Sequence, residues 1–314
     1  MTTTSPPLRV PSTPRPTIRP RRRRVAAGVV LVAAALAGCS STGTTTSATT
    51  ATTGAAGTTA SSTASTGGTT APTTAAPKKL KIMVTDDDGF DAASIDALVE
   101  GIRKEPDVEI TVVAPLTNKS GTGGKTTTGT LTVTDAKTKS GYPAKAVDGF
   151  PADTVIWALG GGLSFRPDVV LSGNNAGQNV GPLVNISGTV GAAREAAKNG
   201  IPAIAVSQGL GDPVDTTDYV SGVNVMLEYF RAHRSEYGGT TSKDKPLKVT
   251  SFNIPTCNTG KLRGVKEVPT ATDLAGRNLA VSDCTSTKTT FTDDIDAFIN
   301  GYATQSTVDL LTPS

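Results

Sequence analysis

The sequence predicts an α/β protein, a Rossmann-like, mostly parallel sheet with helices on both faces, preceded by a leader and a linker. Three observations support this. From Leu80 onward short apolar runs alternate with amphipathic helical stretches, a pattern that implies right-handed crossovers between parallel strands. Runs such as KIMV (81–84) and DVVL (168–171) lack in/out alternation, as strands covered on both faces do. Polar, Gly-rich segments follow the apolar runs, at the carboxyl ends of strands where open sheets of this kind bind ligands.

The chain of 314 residues is not all foldable material. Residues 1–24 are rich in Pro, Thr and Arg, and 25–38 form an apolar run of 14 residues ending in LAGC, Leu36 to Cys39. That run is short for a membrane span and suits the apolar core of an export signal. The order of basic flank, apolar run, small residues and Cys resembles a bacterial lipobox. It implies a lipoprotein signal peptide over 1–38, lipidation at Cys39 and attachment to the outer face of a bacterial cell membrane. From Ser40 to Pro77 every residue is Ser, Thr, Gly, Ala or Pro. No side chain there can build a core, so 39–78 is predicted to be a disordered tether. A folded body over 79–314, about 236 residues, is long enough for one large domain. The net charge of +3 belongs to the leader: the seven Arg before Cys39 leave 23 basic against 27 acidic residues in the rest. With no basic patch, nucleic-acid duplex binding is not expected. The two remaining cysteines, Cys257 and Cys284, invite a disulfide in an exported protein, with two separate buried thiols as the alternative.

The elements follow in order. LKIMVT (80–85) reads as a buried strand, and 92–104 as a helix with Ile95, Leu98, Val99 and Ile102 on one face. VEITVVAP (108–115) is a strand ended by Pro115, and TGTLTVTDA (128–136) a hairpin arm. PADTVIWALGG (151–161) opens with Pro and stops at Gly, as helices do. DVVLSG (168–173) is a strand, 189–200 a helix closed by Gly200, AIAVS (203–207) a strand, 216–234 a longer helix and LKVTSFNIP (247–255) a strand.

The strand ends gather oxygen ligands. The first strand runs into Asp86-Asp87-Asp88-Gly89, the second into a loop with Asn118, Ser120 and Lys125, and the strand at 168–173 into Asn174, Asn175 and Asn179. Ser187, Gly188 and Thr189 then open a helix. Adjacent carboxylates repel unless a cation lies between them, and carboxylate, hydroxyl and amide oxygens suit Mg²⁺, Mn²⁺ or Ca²⁺. A Ser/Thr-capped helix N-terminus suits a phosphate. Together they are the equipment for hydrolysing a phosphoester by a water that one divalent ion activates. The bland alternative is a solvated acidic turn before a helix that welcomes carboxylates.

These segments resemble the SurE-like nucleotidases, the survival protein SurE family. The resemblance rests on VTDDDGF, APLTNKSG, VDGFPADTV, LSGNNAGQNVGPLVNISGTVGAAREAAKNGIPAIAVS and SFNIP, and on the closing TDDIDAFINGYATQSTVDLLTP. It implies a metal site of Asp87, Asp88, Ser120 and Asn175, with Asp87 and Asp88 catalytic, and phosphate contacts from Asn179, Ser187, Gly188 and Thr189. The implied activity is divalent-metal-dependent dephosphorylation of nucleoside monophosphates or other small phosphomonoesters, and the implied assembly a dimer or tetramer through C-terminal extensions. The chain departs from the family pattern at Asp86, where Asn is usual, at Asn174, where an apolar residue is usual, and over 256–292.

Two other readings remain open on sequence. One is a haloacid-dehalogenase-type phosphatase with Asp86 as nucleophile, Asp88 as acid/base and Asp293-Asp294 as a late acidic pair. The other is an exported nucleotide- or phosphate-binding protein without turnover. The single His, His233, reads as a surface residue and Trp157 as core packing; with no Ser/His/Asp triad and no Cys nucleophile with a His partner in view, acyl transfer is not expected.

Overall fold

Leu80–Thr85 (β1) is buried almost throughout, which a strand achieves only with neighbours on both edges and cover on both faces. The computed structural model, which describes residues 78–239 and 242–310, supplies these. β2 (Val108–Pro115) and β5 (Val169–Ala176) flank β1, both parallel to it. β4 (Pro143–Asp148) extends the parallel sheet beyond β2, and β6 (Ala203–Gln208) and β7 (Val249–Ile254) extend it beyond β5. The edges are β3 (Thr132–Lys137), antiparallel to β4, and the short β8 (Val265–Glu267), parallel to β9 (Ala303–Val308), which itself runs antiparallel to β7. The nine strands run β3-β4-β2-β1-β5-β6-β7-β9-β8.

Helices cover both faces. α1 (Ala93–Ile102) and α4 (Tyr219–Ala232) close one core around Ile82, Val84, Leu98, Leu171, Met226 and Phe230. α2 (Pro151–Trp157) and α3 (Gly188–Lys198) close the other around Met83, Val113, Val155, Val170 and Val190, with Trp157 packed at its margin. His233 caps α4 and stacks on Tyr229, ring centroids 3.9 Å apart. A third, smaller core joins Val180 and Ala271 to Ile295 and Phe298 of α5 (Asp294–Ile299). It packs the late segment, the part of the sequence that departs most from the SurE pattern, against the turn after β5.

Strand order reverses at β1: the chain winds outward through β2 and β4, then returns to β1's other edge as β5. A crevice opens at such a switch point beyond the carboxyl ends of the strands. The ends of β1 and β5, carrying Asp86–Asp88 and Asn174–Asn175, lie on either side of it.

Candidate functional site

The carboxylates of the acidic turn are held by fixed partners, Ser94 being shared between Asp86 and Asp88. Asp86 is fully buried; its Oδ1 accepts from the Asp87 N–H (2.9 Å) and its Oδ2 from the Ser94 hydroxyl (3.2 Å). Asp87, also buried, accepts from the Thr189 hydroxyl at 2.5 Å. Asp88 accepts from Asn118 Nδ2 (3.1 Å), Ser94 Oγ (2.8 Å) and the Ala176 N–H (2.8 Å). That last bond ties the end of β1 to the end of β5. The loop after β2 is held against the turn, with the Lys119 N–H on the Asp87 carbonyl (2.7 Å) and the Ser120 N–H on Asn118 Oδ1 (2.9 Å).

α3 begins beside Asp87. Its N-cap Ser187 accepts the Val190 N–H (3.1 Å), and Thr189, two residues on, is the donor to Asp87. Gly188 is required for this approach: a Cβ there would lie 2.7 Å from Asp87 Cβ and 2.9 Å from Pro151 Cγ. Contacts that short force atoms to shift.

β5 runs longer than its apolar stretch predicts, so Asn174 and Asn175 are strand residues. The pairing with β6 shifts register between Ser172 and Asn175, an irregularity of the kind that re-aims side chains at sheet ends. Asn174 is buried on the α4 side and donates to the Tyr219 carbonyl (3.0 Å). Asn175 borders a cavity of about 180 Å³ together with Asp87, Ser120, Asn179 and Ser187. Asn179 is held by Asn253 Oδ1, which accepts its N–H (2.6 Å), and by Ser207 Oγ, which accepts from its side-chain amide (2.9 Å). The structure thus brings Asp87, Ser120, Asn175, Asn179 and Ser187 to one cavity. Asp88 is anchored beside it by Asn118, Ser94 and Ala176, while Gly188 and Thr189 act on Asp87 from α3.

Leu183 of the 3-10 turn Gly181–Asn185, and Ile186 just after it, also border the cavity. Asp294 fixes this turn: the buried carboxylate accepts from the Gly181 N–H (2.8 Å) and the Ala271 N–H (2.9 Å). Gln178 donates to the Leu279 carbonyl (2.9 Å) nearby. Sequence reasoning assigned no role to Ser94, Ser207 or Asn253, nor to Asp294 as an anchor. Asn253 had a signal, since it ends another strand of the same sheet; Ser94, inside α1, had none.

These placements remove the dehalogenase-type alternative. Asp86 is fully buried with both its oxygens engaged, by the Asp87 N–H and by Ser94, so it is not presented as a nucleophile. Asp293 is the N-cap of α5, paired with Arg277 (2.6 Å), and Asp294 is committed to the turn.

The electrostatics ask for a cation. Burial first, then the charges of Asp88 and Asp87, holds the Asp86 carboxyl well above the usual carboxylate range. Burial also raises Asp87; the Thr189 hydrogen bond opposes the rise and Asp88 adds to it. Among the described residues none of the ion pairs involves Asp86, Asp87 or Asp88. No cluster of three His, Cys, Asp or Glu forms a metal site by itself there either. Asp87, Ser120 and Asn175 bring oxygen donors to the one cavity, a chemistry that fits a hard divalent ion. Cys257 and Cys284 are bonded to each other, Cα atoms 5.7 Å apart. Cys39 lies outside the described residues.

Fold and cavity define an open α/β-sheet protein with a carboxylate-bearing, oxygen-lined site at its switch point. The family model described as survival protein SurE matches residues 82–279. A 5'-nucleotidase SurE of Carboxydothermus hydrogenoformans is 48% identical over 132 residues, 41% of this chain and 50% of that protein. One of Pelobacter propionicus is 44% identical over 185 residues, 59% of this chain and 69% of that protein. The chain thus spans half the length of the first relative and about two thirds of the second. The crystal structure of SurE protein from Aquifex aeolicus superposes with a TM-score of 0.58 at 25% identity, covering 74% of this chain and 95% of that one. The chain belongs to the SurE family.

Proposed function

We propose that this protein is a divalent-metal-dependent phosphomonoesterase acting on nucleoside monophosphates, a 5'(3')-nucleotidase. The observation that carries the reading is the convergence of Asp87, Ser120, Asn175, Asn179 and Ser187 on one cavity beside the start of α3. The name 5'-nucleotidase borne by the SurE relatives supports the substrate class.

Asp87, Asp88, Ser120 and Asn175 are the residues that would hold the ion. When bound, a divalent ion supplies charge neutralisation at the phosphate and lowers the pKa of water. The chain's own groups do the rest. Thr189 keeps Asp87 oriented and favours its ionised form. Asn118, Ser94 and the Ala176 N–H fix both oxygens of Asp88. The positive end of α3 favours a phosphate dianion. Ser187 Oγ already accepts the Val190 N–H, so its own proton is available to a phosphate oxygen. Asn179, clamped by Asn253 and Ser207, offers a second fixed polar contact.

Export and lipid attachment at Cys39 belong to the same proposal. They are supported by the leader's basic flank and apolar run and by the Cys257–Cys284 bridge, which suits an oxidising compartment. Among the described residues no helix is long and apolar enough to cross a membrane. Assembly into dimers or tetramers is proposed on the resemblance alone.

The test is turnover of nucleoside monophosphates and generic phosphomonoesters by the whole chain with EDTA, Mg²⁺, Mn²⁺ or Ca²⁺. Asp88→Asn should lower turnover at least a hundredfold, of the order seen when a key electrostatic group is removed, and leave the chain folded at a somewhat lower Tm, since an amide cannot accept from all of Asn118, Ser94 and Ala176. Binding without turnover under every metal would replace the enzyme by a binding protein. Unchanged metal-dependent turnover in the variant would overturn the site assignment.

A further inference from the structure

We infer that Leu183 and Ile186 form an apolar platform for the leaving group, so that the site prefers esters of a nucleoside over esters of a small polyol. The inference rests on the phosphomonoesterase reading and adds what the site does with the rest of the substrate. The cavity lining is chemically mixed. Asp87, Ser120, Asn175 and Ser187 supply polar groups, and Leu183 and Ile186 supply apolar surface. Ile186 is 55% exposed, and among the described residues it is the one exposed large hydrophobic that borders this cavity.

Ile186 immediately precedes the N-cap of α3. An apolar residue there ordinarily packs on the fourth helical residue as a staple. Here that residue is Gly191, which offers no side chain. Gly191 instead admits the backbone of the loop after β2: a Cβ there would lie 2.1 Å from the Gly123 carbonyl oxygen. The Ile186 side chain is thus released from its usual helical role and stays exposed at the cavity.

Its backbone, by contrast, is fixed. The Ile186 carbonyl accepts from the Gly123 N–H (2.9 Å) and the Ile186 N–H donates to Leu183 (3.1 Å). Arg194 donates to the Val184 carbonyl (2.9 Å), and Asp294 holds Gly181. A platform fixed in this way gains affinity because little ordering remains to be done on binding. Since Ser187 follows Ile186 directly, a phosphate at the start of α3 sets its alcohol portion against this surface. Among the described residues no aromatic ring borders the cavity, so the base would be met by aliphatic contact.

The experiment compares adenosine 5'-monophosphate with glycerol 3-phosphate on the whole chain, in the metal that gives the highest turnover, for wild type, Ile186→Ser and Ile186→Val. Covering the exposed part of one Ile side chain corresponds to about a five- to tenfold change in affinity. The nucleotide KM should rise by that factor in Ile186→Ser with kcat within about twofold, and Ile186→Val should recover most of the loss. The KM for glycerol 3-phosphate should stay put. An equal shift for both substrates, or none for the nucleotide, overturns the platform. If wild type turns over neither substrate, the phosphomonoesterase reading fails. Calorimetric binding of the same two compounds to wild type and Ile186→Ser then decides the platform by the same ratio.

Discussion

Replacing Thr189 by Val isolates one bond of the site. The two side chains have nearly the same shape, so the buried packing at the start of α3 is kept while the hydroxyl that reaches Asp87 Oδ1 at 2.5 Å is lost. A hydrogen bond to an ionised group contributes about 1.5–3 kcal/mol, and here it is the largest influence lowering the Asp87 pKa against its burial. Losing it should raise that pKa further and weaken divalent binding by about ten- to a hundredfold. The deficit should narrow as pH rises, because alkaline conditions ionise Asp87 in the variant too. The assay is turnover as a function of Mn²⁺ concentration at several pH values for wild type, Thr189→Val and Thr189→Ser. The Ser variant keeps the hydroxyl and should stay close to wild type. Half-saturation of Thr189→Val within about twofold of wild type at every pH would refute the view that this bond keeps Asp87 ready for a cation.

Two further outcomes are expected from the body of the fold. Asp96 on α1 is buried and accepts from Thr138 Oγ1 (2.7 Å), Ser140 N (2.9 Å) and Ser140 Oγ (2.6 Å), fastening the β3–β4 hairpin to the helix. Burial works to raise its pKa, but the Ser140 and Thr138 bonds and the nearby Lys139 outweigh it and hold the carboxyl below its usual 3.8. Its contribution is therefore present above that pH and is lost as pH falls through the lowered value. Asp96→Ala should cost about 2–3 kcal/mol in urea unfolding at pH 7, and the gap to wild type should shrink in acid; a gap independent of pH would contradict the assignment. The Cys257–Cys284 bridge closes a separation of 27 residues, worth about 3.5 kcal/mol in the chain-entropy account. Thiol titration of denatured, unreduced protein should find neither cysteine free, and Cys257→Ser should unfold at clearly lower denaturant.

The parallel centre of the sheet was legible because β1, β2, β5 and β6 each contain an apolar run that only a doubly covered strand accommodates. The acidic turn was legible because three carboxylates after such a strand have no structural use without compensation. What escaped was decided by partners rather than by local sequence. PAKAVD became β4 by pairing with β2 and β3, although it carries Lys, Asp and Pro. The polar ATQSTV became β9 by pairing with β7 and β8. Asn175 joined β5 because Ser207 of β6 lies opposite it; strand preference at such positions follows neighbours more than residue type. The anchoring role of Asp294 left no trace, since its partners are backbone N–H groups 113 and 23 residues away, whose own side chains carry no mark of the contact.

Ser94 explains how the acidic turn tolerates a carboxylate at its first position. Its hydroxyl has one proton and two acceptors, Asp88 Oδ2 at 2.8 Å and Asp86 Oδ2 at 3.2 Å. The amide usual in the family at this position would bring its own N–H to Ser94 and leave the Ser94 proton to Asp88. A carboxylate does the same only when protonated, the form that burial and its two acidic neighbours favour at Asp86. In either case residue 86 acts on Asp88 through Ser94 and never borders the cavity. The three carboxylates are therefore not equivalent. Asp87 borders the cavity, Asp88 joins β1 to β5 across the switch point, and Asp86 sits beneath both, where exchange between amide and acid leaves the cavity's oxygen set unchanged.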